Sequence, residues 1–329
     1  MPSPHRGAAA LWHTAAVEND RPVEIPFPDF FLVGAPRCGT TALTNWLKRH
    51  PNVCFSKPKE PHYFTTIEPL LPSPDVRRDY VEANYWHFDP AVHRHLGEGS
   101  VSTLYSPEAI TRILSLNPDA RFVVVVRNPM AMLPSYHALL LYYMDEEVED
   151  FEKAWRLQQE RAGGSSLPRR CTDPRLLQYA EMARLGKHVE ALFQVAGPDR
   201  CLAIVYDDLV SDPAASYRQL LDFLELDWHA PDFRRRNESR GYRHRWLHRL
   251  IYRPPLVSTE RLVRFVASRT RKGGRSAWKR WRKRLIQWNT VSRRPAELSP
   301  ELRREMHDAL VDDIERLAKL LDRDLGAWR

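Results

Sequence analysis

Residues 30–43, FFLVGAPRCGTTAL, set a cation, two glycines and two hydroxyls directly behind a short apolar run, an order suited to holding a phosphate. The run 30–33 predicts a strand buried on both faces, Gly34 and Gly39 bracket a tight loop of converging backbone N–H groups, and Thr40 and Thr41 open a helix. An anion placed there meets the unpaired N–H groups and the positive end of that helix. Arg37, Cys38, Gly39, Thr40, Thr41 and Ala42 are therefore the candidate anion-binding residues, with Arg37 supplying the charge. The thiol of Cys38 has two readings, a reactive group with a depressed pKa or a small residue filling the turn.

The Gly34-x4-Gly39 spacing is that of a nucleoside-triphosphate P-loop, yet Thr40 stands where the lysine that reaches the outer phosphates would be. A kinase or NTPase remains an alternative, with Asp207 or Asp208 as the magnesium-holding acid. Two further stretches bear chemistry. Residues 56–64, SKPKEPHYF, pack Lys57, Lys59, Glu60 and His62 into a proline-stiffened loop, either functional or a solvated turn. Arg127 follows the β-branched run 121–126 and precedes a helix carrying Ser135, so a cation and a hydroxyl stand at the carboxyl end of a strand, where open α/β sheets bind ligands.

The elements that must position these groups alternate. Strands are expected at 30–33, 53–55, 121–126 and 201–206, and residues 98–102 read as a weak strand or turn. Helices are expected from 40 to 50, 75–86, 107–116, 130–144, 150–161, 173–193 and 212–226. Alternation of this kind predicts a three-layer α/β/α fold around a central parallel sheet with right-handed crossovers. Beyond it, Trp278, Trp281, Leu285 and Trp288 share a helical face opposed by Lys279, Arg280, Arg282, Lys283 and Arg284, either an interfacial helix or a stripe packed on the core. Leu302, Met306, Leu310, Ile314, Leu317 and Leu321 follow Ser299-Pro300 as a docking helix. The division expected is a flexible leader at 1–28 and one domain at 29–329, comprising an α/β core at 29–230, a basic region at 231–296 and a C-terminal helix at 297–329.

A chain of 329 residues with 43% hydrophobic content can bury a sizeable core. Four scattered cysteines without a Cys-x-x-Cys pair argue against structural zinc and for a reducing compartment. The leader lacks a long apolar segment, so a cytoplasmic location is expected. Charge is uneven: residues 234–294 carry 21 Lys/Arg against Glu238 and Glu260, a local balance of +19 in a chain of net charge +8. Such a block points to an anionic partner, with peripheral membrane contact expected through 240–290 and the oligomeric state left open.

The cradle, the Arg127…Ser135 pair and the strand ending in Tyr206-Asp207-Asp208-Leu209 together resemble the sulfotransferases that use 3′-phosphoadenylyl sulfate (PAPS), over residues 30–226. The style of the motifs is closest to the bacterial and heparan-type carbohydrate members. The resemblance implies a P-loop-like fold, Arg37, Gly39, Thr40 and Thr41 on the 5′-phosphosulfate, and Arg127 and Ser135 on the 3′-phosphate. It implies Glu60 as the base that takes the acceptor's hydroxyl proton, with His62 orienting it, sharing the proton or serving as base itself. It implies PAPS as co-substrate, no metal, a small-molecule or glycan acceptor and no nucleic-acid partner. Arg271, Lys272 and Gly273 resemble the nucleotide loop of cytosolic members, by coincidence or as a true 3′-phosphate contact. Heparan-type enzymes have a lysine where this chain has Gly99, so Lys57 or Lys59 is expected to supply that charge.

Overall fold

The valine-rich run 121–126 forms a strand whose residues Phe122 to Val126 are all 0% exposed, a burial that only a sheet covered on both faces gives. The computed structural model describes residues 26–66, 74–169, 171–233, 240–252, 274–292 and 296–328. Five strands, β1 (Phe30–Leu32), β2 (Val53–Phe55), β3 (His95–Glu98), β4 (Arg121–Val126) and β5 (Cys201–Val205), make a sheet in the order β2-β3-β1-β4-β5. Every pairing is parallel. All five carboxyl ends therefore lie along one edge. The chain runs from β1 outward to β2, back to β3 beside β1, then across to β4 on the other side, so the strand order reverses at β1. The carboxyl end of β1, at that reversal, is the place where open α/β sheets hold ligands.

The centre of the sheet, β1 and Phe122 to Val126 of β4, is apolar. Phe31 and Phe122, on neighbouring strands, stack at 5.7 Å, and Phe64 meets Phe31 edge-on at 6.2 Å. The helix Pro107–Leu116 starts on Ser106, whose hydroxyl accepts from the Ala109 N–H at 3.2 Å, and buries Ala109, Ile110, Ile113 and Leu116. The helix Leu185–Ala196 packs against it.

Several elements differ from expectation. The weak strand or turn at 98–102 is instead a true strand at 95–98, wedged between β2 and β1, followed by a 3₁₀ turn at Val101–Tyr105. Its pattern is poorly apolar because its neighbours hold it: the Asp29 carboxylate accepts from Leu96 N–H at 2.7 Å and Tyr85 donates to the Gly97 carbonyl at 2.9 Å. The single helix expected at 173–193 is three pieces, Pro174–Leu177, Tyr179–Ala183 and Leu185–Ala196. Distant side chains cap the new starts. The Gln158 side chain accepts from Ala180 N–H at 2.6 Å, and the Asp313 carboxylate accepts from Gly186 and Lys187 at 2.8 and 2.9 Å. The stretch 150–161 is likewise two short helices, Phe151–Arg156 and Gln158–Ala162.

The chain divides into two compact units, 1–128 with 184–236 and 311–329, and 129–183 with 237–310. The first contains the whole five-stranded sheet. The second is built on the helix Pro129–Tyr143, buried along most of its length, and on a fully buried ion pair in which Arg161 grips the Glu146 carboxylate at 2.7 and 2.9 Å while Tyr179 donates to it at 2.7 Å. It also contains an antiparallel strand pair distant in sequence, β6 (Arg240–Tyr242) with β7 (Thr290–Ser292), for which the sequence carries no clear signal.

Candidate active site

The carboxyl edge of the sheet delivers one chemistry-bearing segment from each strand: the cradle after β1, Lys59 to His62 after β2, Glu98 to Ser102 at the end of β3, Arg127 after β4 and Tyr206 after β5. The cradle turns through Arg37 and Gly39, at φ 66° and 93°. Gly39 is required twice over. Its φ is left-handed, and a Cβ there would lie 2.9 Å from the Leu209 side chain and 3.2 Å from the Tyr206 ring. The helix Thr40–Leu47 that follows has no side-chain cap hydrogen bond among the described residues and no acidic residue in its first turn, and a helix start of that kind suits an anion.

Within the cradle the residues divide. Thr40 is buried and Thr41 exposed, while the Ala42 N–H bonds to the Gly39 carbonyl at 2.9 Å. Cys38 is filling. It is 0% exposed, its N–H bonds to Ala35 O at 3.3 Å, its Sγ lies 3.6 Å from Pro36 O, and burial pushes the thiol up to about 12 despite Arg127 and Arg37 nearby.

Arg127 closes the loop from the other strand. Its Nη1 donates to the Arg37 carbonyl at 2.9 Å, and its guanidinium lies over the Tyr206 ring with Cζ 4.3 Å from the centroid. The Nε of Arg127 is buried without a hydrogen-bond partner among the described residues. A buried orphan donor on a cation, held beside a phosphate loop, suits an anionic oxygen, so the residues present fit a nucleotide bearing a second phosphate. Ser135 belongs to the second unit, on the helix Pro129–Tyr143, and is 3% exposed. Arg271, Lys272 and Gly273 lie outside the described residues.

The loop after β2 is the part that sequence reading resolved least. Lys59 Nζ donates to Glu60 Oε1 at 2.7 Å and to Thr40 Oγ1, inside the cradle helix, at 3.3 Å. The ammonium absent from the P-loop position thus arrives from another strand, at the residue that replaced it. Glu60 Oε2 lies 3.6 Å from His62 Nε2, and His62 Nδ1 bonds to Ser102 at 2.7 Å. His62 sits at φ 53°, held by its N–H on Ser100 Oγ at 2.9 Å. Ser100 and Ser102, carried by the β3 end, fix the imidazole behind the carboxylate. Behind them Glu98 is 0% exposed, accepting from Tyr80 at 3.0 Å and Ser100 N–H at 2.7 Å, and burial raises its pKa. Lys57 takes no part in this cluster: its ammonium lies over the Trp86 ring at 5.1 Å.

The acids that a magnesium-dependent reading needs are engaged elsewhere. Asp208 is paired with Arg323 at both carboxylate oxygens, and Asp207 accepts from Trp328 Nε1 at 3.1 Å.

Residues 73–230 match the model of the Sulfotransferase family. The chain is similar to human carbohydrate sulfotransferase 15, at 28% identity over 246 residues, covering 60% of this chain and 44% of that protein. It is also similar to human heparan sulfate glucosamine 3-O-sulfotransferase 6, at 27% over 206 residues, covering 61% and 53%. The chain thus spans about half the length of the curated relatives it matches. Among solved structures, a sulfotransferase from Alicyclobacillus acidocaldarius superposes with a TM-score of 0.63 at 22% identity, covering 93% of this chain and 100% of that one. The matched segment is thus similar in sequence to sulfotransferases, and the fold is similar to that of a solved sulfotransferase.

Proposed function

We propose that this protein transfers the sulfuryl group of PAPS to a hydroxyl of a carbohydrate or glycosylated acceptor, with Glu60 as the base. The observation that carries the reading is the placement of the Glu60 carboxylate one ammonium away from the phosphate cradle, through Lys59. In the transfer, Glu60 takes the acceptor's O–H proton, the freed oxygen attacks sulfur, and the bond between sulfur and the 5′-phosphate oxygen breaks. Arg37 and the start of the helix Thr40–Leu47 stabilise the charge that collects on the departing 3′,5′-ADP, and Arg127 holds its 3′-phosphate. His62, anchored by Ser100 and Ser102, orients the carboxylate. No step needs the acids after β5, which serve the C-terminal segment. A glycan acceptor is proposed because the similar proteins are, by name, carbohydrate and heparan sulfate sulfotransferases.

The test is calorimetry with 3′,5′-ADP and with ATP plus magnesium, joined to turnover of labelled PAPS over a panel of glycan acceptors. Magnesium-independent binding of 3′,5′-ADP alone is expected, and Glu60→Gln should retain that binding while losing about 10²- to 10⁴-fold in turnover. Preference for ATP with magnesium would sink the reading; undiminished turnover in Glu60→Gln would move the base to His62.

The proposed location is the cytoplasm, in keeping with four free cysteines among the described residues, with the second unit held peripherally at an anionic lipid surface. Its helices Arg245–Tyr252 and Gly274–Asn289 contain no acidic residue, and Trp246, Leu250, Trp281 and Trp288 on them are each more than half exposed.

A further inference from the structure

The ammonium of Lys59 has two claimants. One is Glu60 Oε1 at 2.7 Å, the other the Thr40 hydroxyl at 3.3 Å, in the first residue of the helix whose positive end faces the cradle. Thr40 marks the place of an incoming anion, so a ligand's phosphate arrives next to a cation already engaged by a carboxylate.

The surroundings let the head group move while the backbone stays fixed. The Lys59 carbonyl accepts from Ser56 Oγ at 3.0 Å and from Gly99 N–H at 3.2 Å, which pins the residue between the ends of β2 and β3. Its stem passes over Gly99, where a Cβ would lie 3.1 Å from Lys59 Cε. A glycine at that position keeps the channel for the stem open. The side chain is 17% exposed, so its interactions are only partly screened, and an ammonium has three rotatable donors to divide between oxygens.

Resting on the sulfotransferase reading above, we propose that Lys59 couples donor binding to the base: without donor its ammonium holds the Glu60 carboxylate, and with donor it is drawn to the anionic group at Thr40 and releases Glu60 toward the acceptor. The carboxylate that must take a proton is then occupied until the donor is present. Acceptor activation follows donor binding, and by reciprocity whatever removes Glu60's hold on Lys59 tightens the donor.

Reciprocity gives a test that does not depend on turnover. Calorimetric affinities for 3′,5′-ADP are compared in the wild type, Glu60→Gln, Lys59→Met and the double variant; methionine keeps most of the stem over Gly99. Lys59→Met should weaken binding about tenfold. Glu60→Gln should tighten it about three- to tenfold, and by clearly less in the Lys59→Met background, because only the release of Lys59 is lost there. Simple repulsion between Glu60 and the phosphate predicts the opposite, an equal or larger effect of Glu60→Gln once Lys59 is gone. That result, or no effect of Glu60→Gln in either background, overturns the coupling while leaving the sulfotransferase reading intact. Failure of the wild type to bind 3′,5′-ADP overturns both. Circular dichroism and the thermal midpoint identify any variant that does not fold, in which case Lys59→Gln takes the place of Lys59→Met.

Discussion

The Arg127 guanidinium donates from Nη1 to the backbone carbonyl of Arg37 at 2.9 Å, tying the end of β4 to the middle of the phosphate loop after β1. The contact joins Arg37 in its left-handed turn, while Arg127 Nε is buried without a partner among the described residues.

Arg127→Ala should therefore weaken 3′,5′-ADP by about 10- to 100-fold, the cost of a charge-assisted hydrogen bond together with a loosened loop. Arg127→Lys should recover little, since an ammonium cannot serve the Arg37 carbonyl and a phosphate in the same forked geometry. Titration calorimetry of the two variants checks both; wild-type affinity in Arg127→Lys would show that only the charge matters.

In the second unit, Arg161→Ala should cost about 3–5 kcal/mol, because it strands the Glu146 carboxylate, 0% exposed at its side chain, with only Tyr179 and two backbone N–H groups. Arg161→Met combined with Glu146→Leu should cost less than the single change. Urea midpoints of the two proteins decide it.

Stability should fall as the pH drops below the histidine range. Burial holds the His50 imidazole below its usual pKa, with Nε2–H on the Asp227 carbonyl at 2.9 Å and Nδ1 accepting from Asn52 N–H at 3.3 Å. His248, buried against the Tyr142 carbonyl, is lowered for the same reason. The unfolded chain takes up these protons near 6.5 and the folded chain does not, so unfolding is favoured as pH falls through that value. Denaturation midpoints at pH 8 and 5.5 should show the loss, and His50→Gln should flatten it. Glu98 contributes the opposite sign: its raised pKa means the folded state keeps a proton that the unfolded state releases, so Glu98→Gln should gain stability most at pH 8.

The exposed tryptophans of the second unit should carry lipid contact. Sedimentation with vesicles rich in phosphatidylserine is expected, little with phosphatidylcholine alone, and Trp246→Ser with Trp281→Ser should reduce binding severalfold without changing its salt dependence. Equal binding to both vesicle types would remove the surface from consideration.

By itself the sequence determined the local part of this protein. The cradle was legible because strand, loop and helix are contiguous in residues 30–43, and Arg127 because a β-branched run announces where its strand ends. The helices Pro107–Leu116 and Pro300–Leu320 and the apolar strands followed from periodicity, which is a property of neighbours in the chain. Only the tertiary structure decided the rest. β3 has a weak pattern because Asp29 and Tyr85 hold it from outside, and the break before Leu185 comes from an Asp313 carboxylate more than a hundred residues away. The same holds at the site. Lys59, Glu60 and His62 could be named as a charged loop, but that Lys59 reaches Thr40, and that Ser100 and Ser102 hold His62, depends on parallel strands carrying β1, β2 and β3 to a common edge. Hydrogen bonds between side chains on different strands leave no periodic trace in the sequence.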